Sequence, residues 1–346
     1  MDEALIQVQE QELARTGKYY QHVCWMMLPL LCMACYLYGL RPLLLCGFAL
    51  LVGNLCDRLV SLLRHRVYRR GDFSNESFAM LIAMLMPATV EWYILAAAVI
   101  IGVLVGKEAF GGYGSYPFHP AAVGYVVAAV CWPDQVCRYP QPYTDIPLWD
   151  ASGVPLGSAI EDTMRSGGML NTGAFTLVLG EYAAPMGTGA AVVLVACGLF
   201  LWFHGDMRLS TALSFLAVSG ILVFVAPRQV GVVEDLASVG MRLRIVRDEL
   251  LTGGMLFAAV FFTGEPYTCA HRRLGRVLYG MLLGAMTVAF RYFGVYETGV
   301  FFAVLVVNSL SAWLDRNEEE LYAMKREKDA CLLYTSPSPR DVEESR

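Results

Sequence analysis

The stretch Phe110-Gly111-Gly112-Tyr113-Gly114-Ser115-Tyr116-Pro117-Phe118-His119-Pro120-Ala121-Ala122-Val123-Gly124-Tyr125-Val126 joins two apolar runs, and its reading decides how the chain is built. Glycines at 111, 112 and 114 permit backbone conformations closed to other residues. Pro117 and Pro120 exclude helix until the next apolar run begins at Ala121. Irregular backbone at the mouth of a membrane helix survives only against protein, ligand or water, never against lipid. The stretch is therefore either a tight turn between two spans or a region that holds a cofactor or an ion. In the second case Gly111, Gly112, Gly114 and Pro120 are its candidate binding residues.

The rest of the chain supports a membrane setting. Of 346 residues, 56% are hydrophobic and 16% charged, with a mean hydropathy of +0.49. Soluble domains carry about 25% charged residues, so an all-α integral membrane protein is expected. No cleavable signal peptide is expected, since the first 22 residues are polar and the first apolar run follows them. The formal charge of −5 suggests no nucleic-acid partner. Six cysteines (24, 32, 35, 46, 56 and 197) lie in apolar runs and read as small hydrophobic residues. Cys131 and Cys137 flank a polar loop and could pair if that loop is exported. His119 and His204 have no partners at metal-ligand spacing, so no metal site is assigned.

Ten apolar segments can be read, at 23–40, 43–63, 75–90, 92–106, 120–133, 188–204, 209–226, 252–265, 275–291 and 297–314. Arginines at 64, 66, 69 and 70, at 272, 273 and 276, and the tail cations Arg316, Lys325, Arg326 and Lys328 fall on one side if both termini are cytoplasmic. Arg228, Arg242, Arg244 and Arg247 fall on the other side, in a segment whose acidic partners suggest a folded surface element. Asp57 and Arg58 fall near the end of the second span, where snorkelling to the interface is the simpler reading. Lys107 and Glu108 abut the glycine loop, as a local ion pair or as contacts for a flavin phosphate or a passing cation.

A faint internal repeat accompanies this pattern. Pro87 and Thr89 recur as Pro266 and Thr268, at an offset of 179 residues, and Gly102 and Gly106 recur as Gly280 and Gly284 at 178. Spans five apart run in opposite directions, so the expected architecture is two inverted five-helix repeats with broken helices meeting near the midplane. Pro87 and Pro266 should then end half-helices that face each other.

These residues resemble the RnfD/NqrB family, whose members serve the Rnf complex and the sodium-pumping NADH:quinone oxidoreductase. Phe110 to Tyr125 is similar to the family pattern FGGxG followed by FNPAxVGY, with His119 in place of Asn. Glu265-Pro266-Tyr267-Thr268 stands where the family has Asp-Pro-Val-Thr, and Tyr296 to Asn308 is close to YPEGVAFAVLLMN. The resemblance covers residues 20–316 and implies a membrane component of a complex coupling electron transfer between ferredoxin and NAD to ion export. The other membrane and iron–sulfur subunits of that complex, and the lipid bilayer, are its implied partners. NAD and ferredoxin would bind those other subunits, since no phosphate-binding glycine loop of the soluble folds follows a strand here. A bacterial cytoplasmic (inner) membrane is implied.

The resemblance further implies FMN, esterified to the Thr of an S/T-G-A-T motif in the exported loop, with riboflavin as an alternative flavin. The matching segment is Asp150-Ala151-Ser152-Gly153-Val154-Pro155-Leu156, which is shorter than the family motif. Val154 stands where the acceptor Thr should precede Pro155, and it has no hydroxyl. Ser152, Gly153 and Val154 are the candidate flavin residues, with Thr172, Thr163 and Ser152 as other hydroxyls and Pro266 and Thr268 as contacts from the repeat. A substitute acceptor, a non-covalent flavin and loss of the flavin all remain open.

The expected organisation is a cytoplasmic segment 1–22, a ten-span domain 23–316 with an exported loop 133–187, and a cytoplasmic tail 317–330. Residues 331–346 resemble the translated read-through of a sequencing adaptor and are set aside from the fold. Two other functions are consistent with the pattern: a urea-channel-like solute transporter, and a scaffold component of the complex that has lost its flavin.

Overall fold

The structure, a computed structural model, describes residues 2–65, 73–157, 173–228, 238–294 and 298–335. It is built of helices, with one two-stranded antiparallel ladder that pairs Tyr139 with Gly157 and Pro140 with Leu156. Five helices are long and apolar enough to cross a membrane: Arg15–Tyr38, Arg41–Leu63, Trp92–Phe110, Arg273–Phe293 and Gly299–Met324. Pro120–Cys131, Ala191–Phe203 and Leu209–Val225 are apolar but shorter. Two further apolar segments are brief: the helix Ser74–Leu85, and Met255–Phe257 continued by the π-helical turn Ala258–Phe262.

Local chemistry explains most of these ends. Gly39, at φ +76°, separates the first two helices, and Pro42 opens the second at a position where its missing N–H costs nothing. Pro120 does the same for Pro120–Cys131. Ser74–Leu85 stops at Met86, before Pro87, whose ring is incompatible with helix at the preceding residue.

Small residues set the packing. A Cβ on Gly106 would come within 2.9 Å of the Pro120 Cα, and one on Gly124 would overlap the Ala98 carbonyl oxygen. The helices 92–107 and 120–131 can therefore lie backbone to backbone. Gly280 and Gly284 serve a different neighbour: side chains there would overlap the Ser214 hydroxyl and press on Phe215 of Leu209–Val225. The two glycine pairs recur in the sequence, but each lies on a face of its helix that meets a different partner.

The two brief segments run antiparallel. Gly187 wedges between Met84 and Phe257, and its N–H donates to the Met84 carbonyl at 2.7 Å. At the other end His119 stacks on Phe262 at 4.1 Å and meets Phe78 edge-on at 5.5 Å. Leu85 therefore lies toward Met255, and Phe78 toward Phe262. Pro87 and Pro266 sit at opposite ends of the pair and do not face each other, because each follows the C-terminus of its own helix.

Cys131 and Cys137 are both free, and so is every other described cysteine. The last helix runs to Thr335, and residues 336–346 lie outside the described residues.

Candidate functional site

The helix that starts at Trp92 loosens into a π-helical turn, Gly102–Lys107, then one 3-10 turn, Glu108–Phe110. Gly111, Gly112 and Gly114 follow at φ +118°, +90° and +81°, conformations that side chains rarely adopt. A Cβ on Gly114 would press on the Tyr267 ring at 3.3 Å. The glycine loop thus packs directly on the Glu265–Thr268 turn, so Gly114, Pro266 and Thr268 do share a site.

Its centre is Glu265, 1% exposed. Oε1 accepts from the phenols of Tyr20, at 2.7 Å, and Tyr116, at 2.8 Å. Oε2 accepts from the backbone N–H of Tyr267, at 2.9 Å, and of Thr268, at 2.6 Å. The two phenols also touch each other. Four donors on a carboxylate replace lost hydration, each bond contributing about 1.5–3 kcal/mol when the acceptor is charged. Burial first, then the Glu265 charge, pushes the Tyr116 phenol well above its usual range, so it stays protonated and donates.

Lys107, also 1% exposed, adjoins this cluster. Its Nζ donates to Ser74 Oγ at 2.7 Å and Asn75 Oδ1 at 2.9 Å, and lies 5.8 Å from the centre of the Tyr113 ring. The hydroxyls of Tyr113 and Tyr267 both reach Thr16 Oγ1, at 2.9 and 3.2 Å. Arg64 joins Glu108 through its carbonyl at 2.8 Å and its carboxylate at 3.6 Å. One buried carboxylate, one buried ammonium and a group of tyrosines therefore tie the first helix, the glycine loop and both brief helices together.

The flavin motif lies elsewhere. Asp150 Oδ1 accepts from the Ser152 N–H at 2.9 Å, and the Val154 N–H donates to the Ala151 carbonyl at 3.1 Å, closing a tight turn. The Ser152 N–H holds the Asp150 carboxyl below the usual range. Ser152 and Gly153 are exposed, whereas Val154 is half-buried and packs on the main core. Arg41 fastens the adjoining segment, donating to the carbonyls of Pro147 at 2.7 Å and Val90 at 3.1 Å. Trp92 Nε1 donates to the Trp149 carbonyl at 3.1 Å. Trp92 and Lys107 are the two ends of one helix, about 20 Å apart. The turn and the Glu265 cluster are thus separate sites, and Ser152, Gly153 and Val154 are not joined to Gly111, Gly112, Gly114, Pro120, Pro266 or Thr268. Thr163 and Thr172 lie outside the described residues.

This turn does not fit an esterified FMN. The acceptor position lacks an oxygen, its side chain is turned toward the core, and the turn is already closed by its own hydrogen bonds. Sequence reasoning marks Pro266 and Thr268 but passes over Glu265, Tyr20, Tyr116 and Arg41. An acidic residue inside an apolar segment is the available signal for Glu265; the tyrosines give none.

The sequence model of the NQR2, RnfD, RnfE family matches residues 8–322. Relatives named as the RnfD component of the ion-translocating oxidoreductase complex include one from Tolumonas auensis, 28% identical over 82% of this chain and 87% of that protein. Another, from Alcanivorax borkumensis, is 24% identical over 87% of this chain and 90% of its own. A third, from Pseudomonas paraeruginosa, is 29% identical over 81% and 83%. The chain belongs to the NQR2, RnfD, RnfE family.

Proposed function

We propose that this member of the NQR2, RnfD, RnfE family is the RnfD component of an Rnf-type ion-translocating oxidoreductase complex, where electron transfer between ferredoxin and NAD drives ion export. The family match along residues 8–322 and the RnfD relatives support this reading. Its partners are then the other membrane and iron–sulfur subunits. Its setting is the bacterial cytoplasmic membrane, crossed ten times, with both termini cytoplasmic.

The ten crossings form two inverted repeats in this reading, supported by a reciprocal contact. Tyr125 of Pro120–Cys131 shares a hydrogen bond of 2.6 Å with Thr298, just before the last helix. With the Asn308 amide oxygen turned toward His119, Asn308 of the last helix accepts the His119 N–H at 3.0 Å, just before Pro120–Cys131. His119 and Thr298 are themselves 179 residues apart, the offset that relates Pro87 to Pro266. Each helix start is held by the body of the other helix.

The observation that carries the ion-handling role is the buried Glu265 carboxylate at the end of a broken helix. A proton or cation arriving at Oε1 would displace at least one tyrosine donor, loosening the first helix or the glycine loop. Ion occupancy and the packing of three elements are then linked. No step is routed through a flavin on the exported turn. A scaffold role without that flavin is the second reading, and Val154 favours it.

The test is complementation of a host lacking its own RnfD. Glu265→Gln should assemble with the complex yet lose most of the ferredoxin-driven ion gradient, and Glu265→Asp, which restores the residue of the family pattern, should retain part of it. A full gradient with Glu265→Gln would remove Glu265 from the ion path.

A further inference from the structure

The four arginines opposite to the Glu265 end have no part in this function. Three of them lie on the helix Val239–Leu251, which starts at a Ser238 cap. The helix packs along the end of Leu209–Val225: Gly220 lacks the side chain that would keep Val246 and Leu250 away, and Ile245 meets Val223 and Val288. Arg242 donates to the Phe224 carbonyl at 3.1 Å. Gly220 is five residues from the end of its helix, so Val239–Leu251 overlaps the last ~7.5 Å of that apolar span. That depth is the boundary between hydrocarbon and headgroups, not open water.

Its two faces differ in charge. Asp248 and Glu249 point inward, at 3% and 1% exposure. Glu249 accepts from Arg228 at 2.7 Å and Arg291 at 2.7 Å, which pins the helix to the spans beneath. Outward it presents Val239 and Leu243, 62% and 57% exposed, one helical turn apart. Arg244 is exposed beside them, and Arg242 and Arg247 are partly exposed. Apolar side chains flanked by arginines, with the acids hidden, suit an anionic lipid surface.

We propose that Val239–Leu251 is an interfacial helix that binds anionic phospholipid headgroups through Arg242, Arg244 and Arg247 while Val239 and Leu243 enter the acyl boundary.

The full chain in nanodiscs of phosphatidylglycerol, or of phosphatidylcholine with the same acyl chains, tests this by hydrogen–deuterium exchange over residues 239–246. Exchange should be slower in phosphatidylglycerol. Arg244→Gln should shrink that difference by about fivefold, equivalent to about 1 kcal/mol for one basic side chain at an anionic surface. Arg244→Lys should keep the difference, and Leu243→Ser should speed exchange in both lipids. Unchanged exchange across Arg273–Phe293 certifies that each variant is folded. Equal exchange of the unaltered chain in the two lipids would overturn the proposal. So would protection that appears only in the assembled complex, which would assign this face to a protein partner.

Discussion

The Tyr116 phenol donates to Glu265 Oε1 over 2.8 Å, joining the glycine loop to a turn 149 residues away. Tyr20 donates to the same oxygen from the first helix. Tyr116→Phe should therefore cost about 1.5–3 kcal/mol, the range for a hydrogen bond to a charged group. Tyr20→Phe should cost a similar amount, and the double variant more than the sum, since the second loss leaves Oε1 bare in a buried site. Thermal melts in detergent would check this. Strictly additive losses would mean that the two phenols act independently of the carboxylate.

The reciprocal contact between the two helix starts makes a separate prediction. Tyr125→Phe and Thr298→Val each remove one side of a buried neutral hydrogen bond. Their coupling in a double-mutant cycle should be about 0.5–1.5 kcal/mol. Coupling near zero would leave the Tyr125–Thr298 contact without energetic weight, and with it half of the support for paired repeats.

These contacts mark where sequence reading reaches its limit. Each apolar segment read from hydropathy holds a helix in the structure, since apolar runs and the prolines at 42, 87 and 120 act locally. The nearness of the glycine loop to Pro266 and Thr268 is implied in the sequence only by resemblance. The donors to Glu265 lie 245 and 149 residues away, and no local pattern encodes which tyrosine will reach a carboxylate. Arg41 reads in sequence as one more interfacial cation, yet it is fully buried and fastens the loop beside the flavin motif. The facing prolines fail for a geometric reason. A proline at the C-terminus of each of two antiparallel segments must lie at opposite ends.

Sidedness follows from the same geometry. Arg64 and the Asp150 turn lie at opposite ends of the Trp92–Lys107 helix, through Glu108 and Trp92 respectively. A membrane-impermeant thiol reagent applied outside intact cells should label Asp150→Cys above the background of the native cysteines and should miss Arg64→Cys. The reverse pattern would invert the orientation read from the arginine loops.

The last prediction concerns the turn at Val154. Its side chain offers no oxygen, so the chain expressed with a flavin transferase should give no fluorescent band after denaturing electrophoresis. Val154→Thr alone should not fully restore one, for two reasons. The segment from Asp150 is short, and one missing residue displaces the acceptor by about 3.3–3.6 Å along an extended chain. Misplacement of even about 1 Å can cost roughly 100-fold in rate. The side chain at 154 also packs on the core, so a hydroxyl there starts from the wrong side of the turn. Putting Ala-Thr in place of Val154, to give Ser-Gly-Ala-Thr-Pro, adds the residue and moves the hydroxyl outward together. Attachment should then appear, provided that Arg41 and Trp92 still hold the neighbouring segment. A fluorescent band from the unaltered chain, mapped by mass spectrometry to Ser152, Thr163 or Thr172, would show that this protein esterifies its flavin at a different acceptor and that the turn at Val154 does not mark the loss of attachment.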